Sequence, residues 1–246
     1  MKTPIISDLN AAKSIPLFAL EFFVPENEAA MDALLLRVDR MSAFQPLFVS
    51  ITGGNALEDI ALFAKKMLTL QINILVQIDC SEILRPAFKS ILDTLKENGI
   101  KNILIIFENG SKVGQHGGFS NALDIMKFIK HYFRMQFCVS MKCTPEYSSS
   151  KNGKYEQVES MKALLQAGVS YFITEIIFDC QLFFDFVYLC NHYEIQCPIV
   201  PTVLPIQSYR SYQKIVSSCN IHVPSVIFNT MLDADTHADI EHTEVT

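Results

Sequence analysis

Short apolar runs and amphipathic stretches alternate along the chain. The first run, Leu17 to Pro25 (L-F-A-L-E-F-F-V-P), is broken by Glu21 and closed by a proline. A run of that length between turn signals predicts a strand buried on both faces. Glu26 to Phe44 then carries Met31, Leu34, Leu35, Val38 and Met41 at helical spacing, with Asp32, Arg37, Asp39 and Arg40 on other faces. The same succession recurs. Strands are predicted at Leu47–Thr52, Asn73–Asp79, Asn102–Phe107, Gln136–Met141, Val169–Ile177 and Cys197–Leu204. Helices are predicted at Leu57–Leu70, Ile83–Asn98, Phe119–Phe133, Tyr155–Ala167, Gln181–Tyr193 and Gln207–Cys219. Gly99 and Gly168 stand where helices should stop.

Seven strand–helix units predict a parallel sheet with helices outside it. Their short connections favour a TIM-type (β/α) barrel over a doubly wound sheet, and no G-x-G-x-x-G follows any strand. The pattern lacks an eighth βα unit. After Val223-Pro224 a short helix to about Leu232 is predicted. Residues 1–232 then read as a single barrel domain, and residues 233–246 as an acidic, disordered tail. Seven strands would leave the first and the seventh with unpaired edges. The tail, the segment before Leu17, or a partner chain in a homo-oligomer or complex is expected to cover that side.

Composition narrows the function. Half of the 246 residues are hydrophobic, enough for a sizeable core, and the formal net charge is −6. The basic residues are scattered, so no nucleic-acid footprint is expected. No segment reads as a membrane span or a signal peptide. The seven cysteines lie in apolar runs with no metal-ligand spacing, which predicts reduced core thiols and a cytoplasmic location.

Active sites of such barrels lie at the C-terminal ends of the strands. That mouth is predicted to collect Glu21, Thr52, Gln77, Asp79, Glu108, Asn109, Lys142, Glu175 and Gln207. For each, a solvated strand end is the plain alternative. Glu21 and Glu175 sit in dense apolar sequence, so partial desolvation and a raised carboxyl pKa suited to general-acid work are expected. Alternatively, Lys142 neutralises Glu21. Lys142 could form a Schiff base, or be no more than an ion-paired lysine. His237 and His242 could bind a metal, although they fall in the tail. Gly53-Gly54 and Gly117-Gly118 could cradle a phosphate, or simply turn the chain.

Several segments together resemble the methylenetetrahydrofolate reductase family. They are E-F-F-V-P at Glu21–Pro25, D-R-M at Asp39–Met41, P-L-F-V-S-I-T-G-G at Pro46–Gly54 and G-I-K-N-I-L at Gly99–Leu104. G-G-F-S-N-A-L-D at Gly117–Asp124, A-G-V-S-Y-F-I-T-E-I-I-F-D at Ala167–Asp179 and C-P-I-V-P-T-V-L-P-I-Q-S-Y at Cys197–Tyr209 complete the set. The resemblance spans roughly Leu17 to Pro224. It implies a flavin-dependent (β/α) barrel that passes a hydride from NAD(P)H through FAD to 5,10-methylenetetrahydrofolate, giving 5-methyltetrahydrofolate for one-carbon metabolism and methionine biosynthesis.

Carried over residue by residue, the family's proton-donating glutamate is Glu21. Its threonine near the nicotinamide is Thr52. The histidine of the third strand is replaced by Gln77. The Arg-Gly-Asp that holds the flavin is replaced by Phe107, Glu108 and Asn109. Tyrosine and histidine around the fifth strand are replaced by Ser140 and Thr144. Polar and basic positions of the next helix become Gln157, Ser160, Ala163 and Leu164. The folate-binding glutamine becomes Glu175, which can still accept two hydrogen bonds from a pterin edge. The resemblance therefore implies cofactor binding at Thr52, Gln77, Glu108 and Asn109 and folate binding at Asn109 and Glu175. Three readings stay open: an active flavoenzyme, a non-catalytic folate-binding or protein-interaction relative without FAD, and a barrel enzyme of other chemistry using Glu21, Lys142 and Glu175.

Overall fold

Seven parallel strands form one curved sheet in strict chain order, each hydrogen-bonded to the next. The computed structural model describes residues 4–11, 17–25, 27–53, 57–107, 117–145, 153–205, 208–209, 213 and 223–232. The elements are α1 (Ile5–Ala11), β1 (Leu20–Phe23), α2 (Glu28–Ser42), β2 (Val49–Thr52), α3 (Leu57–Leu68), β3 (Ile74–Asp79) and α4 (Arg85–Glu97). They continue with β4 (Asn102–Ile106), α5 (Ala122–Phe133), β5 (Cys138–Cys143), α6 (Gly153–Ala167), β6 (Tyr171–Ile176), α7 (Cys180–His192) and β7 (Ile199–Thr202). This is the expected TIM-type arrangement lacking one unit: β1 and β7 are the sheet's two edges and do not pair with each other. A further helical stretch occupies 225–232, where Pro224 accepts backbone bonds from Ile227 and Phe228. The expected helix Gln207–Cys219 falls mostly outside the described residues. So do the loops Ser111–His116 and Tyr147–Asn152, residues Gly54 and Asn55, and the tail from Asp233.

The sheet has two apolar faces, as the runs of both-face burial required. Ile51, Val76, Ile78, Ile103, Ile105 and Val139 point outward into a core shared with the helices. Phe48, Leu75, Leu104, Cys138, Tyr171 and Ile173 point inward and form a second cluster. The glycine stops are found as expected, with Gly99 at φ 78° and Gly168 at φ 113°. Other helices end without glycine, through left-handed Gln45, Gln71 and Glu194.

The helix α1 was not foreseen. Its seven residues carry only Ile5, Ile6 and Leu9 as an apolar face, too few to show a period. Those three complete the inner cluster, with Ile5 fully buried. The Ile5 N–H donates to Asn102 Oδ1 at 3.0 Å, and the Asn102 amide in turn donates to the Ile74 carbonyl at 3.3 Å. Asn73 Nδ2 donates to Asp8 at 2.9 Å. The N-terminal segment expected at the β1–β7 gap thus instead seals the N-terminal end of the strands. At the open side Leu17 and Phe18 are each 44% exposed.

Cys80, Cys138, Cys143 and Cys190 are buried free thiols, and no helix among the described residues is long and apolar enough to cross a membrane. Burial pushes the Cys80 and Cys143 thiols up, and raises Cys190 to about 12.

Two tests follow from this packing. Asn102→Ala leaves the buried Ile5 N–H without its acceptor and should cost about 1–3 kcal/mol, read as a lower urea midpoint. Equal midpoints would show that α1 is not anchored there. The thiols give a pH signature. Their folded pKa values lie above the ordinary thiol value, so above about pH 9 the unfolded chain holds fewer protons than the folded one. Stability is therefore full below that pH and falls as pH rises toward 12. A urea midpoint that stays flat across this range contradicts the assignment.

Candidate active site at the C-terminal mouth

Side chains alternate along a strand, so the parity that places Leu75, Cys138 and Tyr171 inside carries upward to the mouth. Pairing of Glu21 with Ser50, Ser50 with Leu75, Leu75 with Asn102 and Asn102 with Cys138 keeps this parity across five strands. Among the inner side chains Ser50, Gln77, Ser140 and the Tyr171 phenol form a buried polar layer. Toward the strand ends the inner parity brings Phe23, Thr52, Asp79 and Lys142 to a rim, with Glu175 at the top of β6, while Glu21, second in β1 and paired with Ser50, stands one step lower and is exposed.

Two expected site residues lie deeper than expected. Gln77 is only 5% exposed, and its amide donates to Ser50 Oγ at 2.9 Å. It belongs to the floor of the mouth, and Asp79, two residues on, is the strand-end residue. Ser140 is fully buried in the same layer and donates to the Ile103 carbonyl at 3.2 Å. Glu108, Asn109 and Gln207 lie outside the described residues. The Gly117 and Gly118 carbonyls accept from the Arg85 N–H and from Arg85 Nε, tying the start of α4 to this turn.

Glu21 and Glu175 are both exposed, against the expectation of partial desolvation. The apolar neighbours that suggested it, such as Phe22, Phe172 and Leu20, belong to the outer face and pack under the helices. Nor does Lys142 neutralise Glu21: among the described residues no ion pair joins them.

Glu175 is held by a device that the sequence reading did not single out. The β6–β7 register slips between Ile173 and Ile176, a bulge next to the rim. Such bulges re-aim a side chain. Thr174 and Thr202 lock it. Thr174 Oγ1 donates to the Glu175 carbonyl at 2.7 Å and accepts from the Thr202 N–H at 3.0 Å. The Thr202 hydroxyl donates to the Thr174 carbonyl at 2.8 Å. The two threonines end the I-T and P-T pairs of the sequence, which is the only signal that could have found them. Phe23, 69% exposed, was also missed; its ring lies against Gly53, whose φ is 76° and where a Cβ would stand 3.4 Å from Phe23 Cδ1.

The residues present divide sharply over what they can hold. A carboxylate and an exposed aromatic ring on one rim suit a flat heterocycle with N–H donors. A dinucleotide diphosphate needs charge-assisted donors. The helix after β5 presents half-buried Gln157, exposed Ser160, half-buried Ala163 and buried Leu164, none of them cationic. Gln157 is engaged in donating to the Thr144 carbonyl. The described residues thus do not fit an FAD diphosphate held in the family's manner.

The Tyr171 phenol gives a clean test of the floor. It is fully buried beside Ser140, yet among the described residues its oxygen has no hydrogen-bond partner, and burial pushes its pKa up. An unpaired buried hydroxyl stabilises nothing. Tyr171→Phe should therefore leave the urea midpoint unchanged or raise it. A loss above about 1 kcal/mol would show that the phenol has a partner in solution.

Comparison with known proteins separates fold from family. In fold, the chain is similar to a 2,3-dimethylmalate lyase of the PEP mutase/isocitrate lyase superfamily, with TM-score 0.54 and 11% identity, covering 98% of this chain and 100% of that one. It is similar to the 3-dehydroquinate dehydratase of Geobacillus kaustophilus at TM-score 0.52 and 11% identity, over 78% and 75% of the two chains. In sequence it is 29% identical over 236 residues to a probable methylenetetrahydrofolate reductase (NADH) of Oryza sativa subsp. japonica, covering 88% of this chain. It spans only 40% of that relative's length. It is 26% identical over 223 residues to the 5,10-methylenetetrahydrofolate reductase of Pectobacterium carotovorum, covering 87% of this chain and 72% of that protein. The family model described as methylenetetrahydrofolate reductase matches residues 6–244, and with that match the chain belongs to the methylenetetrahydrofolate reductase family.

Proposed function

We propose that the mouth binds a reduced folate and that the chain acts as a reductase of 5,10-methylenetetrahydrofolate, with NAD(P)H as the electron source. The observation that carries this reading is the rim itself. Glu21 on β1 and Glu175 on β6 reach one opening from different walls, with the exposed Phe23 ring beside them. Glu175, fixed by the threonine-locked bulge, accepts the amino and N–H donors of the pterin edge. Glu21 supplies the proton, from the side of the ring opposite the hydride donor. Thr52, next to the Phe23–Gly53 contact, would border the nicotinamide, and Gln77 would present its carbonyl oxygen from the floor.

One observation favours a second reading, a non-catalytic folate-binding relative: the cation-free face of α6 at Gln157, Ser160, Ala163 and Leu164. The purified protein separates the two. Flavin absorbance that survives desalting after FAD addition, with NAD(P)H oxidation dependent on 5,10-methylenetetrahydrofolate, supports the reductase. Folate binding without either supports the second reading.

Calorimetric titration with 5-methyltetrahydrofolate tests the part both readings share. Glu175→Gln keeps acceptor and donor reach and should preserve binding. Glu175→Leu leaves pterin donors unpaired and should cost about 1–3 kcal/mol. Glu21→Gln should spare binding and abolish turnover. Equal affinity in the wild type and Glu175→Leu would remove Glu175 from the site.

A further inference from the structure

Lys142 has no counterpart in the roles assigned so far. The inner parity of Cys138 and Ser140 continues to it, while Val139, Met141 and Cys143 belong to the outer core. It is half-buried, and among the described residues neither an ion pair nor a hydrogen bond engages its ammonium. Its register partner on β6 is Ile173, Cys143 pairs with Thr174, and Glu175 follows in the bulge at the top of β6, two residues beyond Lys142's partner. With strands about 4.8 Å apart and a rise of about 3.3 Å per residue, two such positions stand about 8 Å apart, within reach of long side chains. The Cys143 thiol, between them in the sheet, feels both charges: Glu175 raises its pKa and Lys142 lowers it, beneath the larger effect of burial.

A 2-amino-4-oxo pteridine shows three groups in a row along its edge: the 2-amino donor, the N3–H donor and the O4 acceptor. A carboxylate accepts the first two in parallel and can do nothing for the third. An ammonium is a donor with no acceptor capacity. A carboxylate with an ammonium at the next diagonal position is therefore the complement of that whole edge. We propose that Lys142 reads the 4-oxo group of the pteridine whose two donors Glu175 accepts, making Lys142 the residue that selects 4-oxo over 4-amino pteridines. This rests on the reading of the mouth as a reduced-folate site. A 4-amino pteridine turns a donor toward the ammonium, leaving two donors facing each other without an acceptor, and it also lacks the N3–H that Glu175 accepts, so both residues weigh against it.

The test is a matched pair of ligands, 5-methyltetrahydrofolate and its 4-amino-4-deoxy counterpart, titrated calorimetrically into the full chain and two variants. The wild type should favour the 4-oxo ligand by about 10- to 100-fold. Lys142→Met should weaken the 4-oxo ligand by a similar factor and leave the 4-amino ligand unchanged or tighter, so that the preference shrinks to the part that Glu175 supplies through the N3–H. Lys142→Gln retains a neutral donor and should keep part of the preference; it also serves if Lys142→Met does not fold. An unchanged preference in both variants overturns the proposal. So does an equal loss for both ligands, which would make Lys142 only a charge partner of Glu175. In either case measurable folate binding leaves the site reading intact. No binding of either ligand by the wild type removes the site reading and the proposal together.

Discussion

The period-two alternation of the strands is the constraint on which everything else rests. A sheet that curls on itself sends every second side chain inward, where space is limited and solvent enters from one end. Leu75, Gln77 and Asp79 show the result on one strand: apolar, buried amide, exposed carboxylate. The same gradient runs up β5 from Cys138 through Ser140 to Lys142. No single residue makes the site. It is the top of a column whose lower steps are core.

Sealing the lower end gives that gradient its direction. Buried backbone groups must be paired, and α1 meets this demand through Asn102, which accepts from Ile5 and donates to Ile74. With the N-terminal end filled by Ile5, Ile6 and Leu9, the inner face is open toward the C-terminal rim. The polar layer of Ser50, Gln77, Ser140 and Tyr171 is then a floor, and a ligand on the rim meets buried hydroxyls and an amide beneath it.

The sequence made the seven-fold alternation legible because both-face burial leaves apolar runs that no solvated loop would carry. The glycine stops at Gly99 and Gly168 were legible for a local reason, since a left-handed residue suits glycine best. The same conformation at Gln45, Gln71 and Glu194 was not, because there exposed residues with no preference for it close the helix end through N–H bonds to the Ser42, Leu68 and Asn191 carbonyls. At the site, residue identity was readable but depth was not. Glu21 and Glu175 looked desolvated because flanking phenylalanines and isoleucines were counted regardless of face. Gln77 looked like a rim residue because a strand's last polar position is ambiguous by two residues. The Thr174–Thr202 lock depends on a register slip between strands far apart in sequence, and no local pattern encodes that.

The charge balance of the rim limits what can occupy it. Glu21, Asp79 and Glu175 are exposed carboxylates, and Lys142 is the cation that the described residues place among them. Such a rim repels a second anion and favours a neutral heterocycle rich in N–H donors. A diphosphate would find no cation at Gln157, Ser160, Ala163 or Leu164 of α6, and the helix's Lys162 is paired with Glu159. The family's two ligands are therefore not equally provided for. A pterin on this rim would meet a carboxylate whose backbone is fixed by three hydrogen bonds among Thr174, Glu175 and Thr202, whereas a dinucleotide would find no charge-assisted donor at Gln157, Ser160, Ala163 or Leu164. The described residues of the rim thus provide for a neutral heterocycle with N–H donors more fully than for a dinucleotide diphosphate.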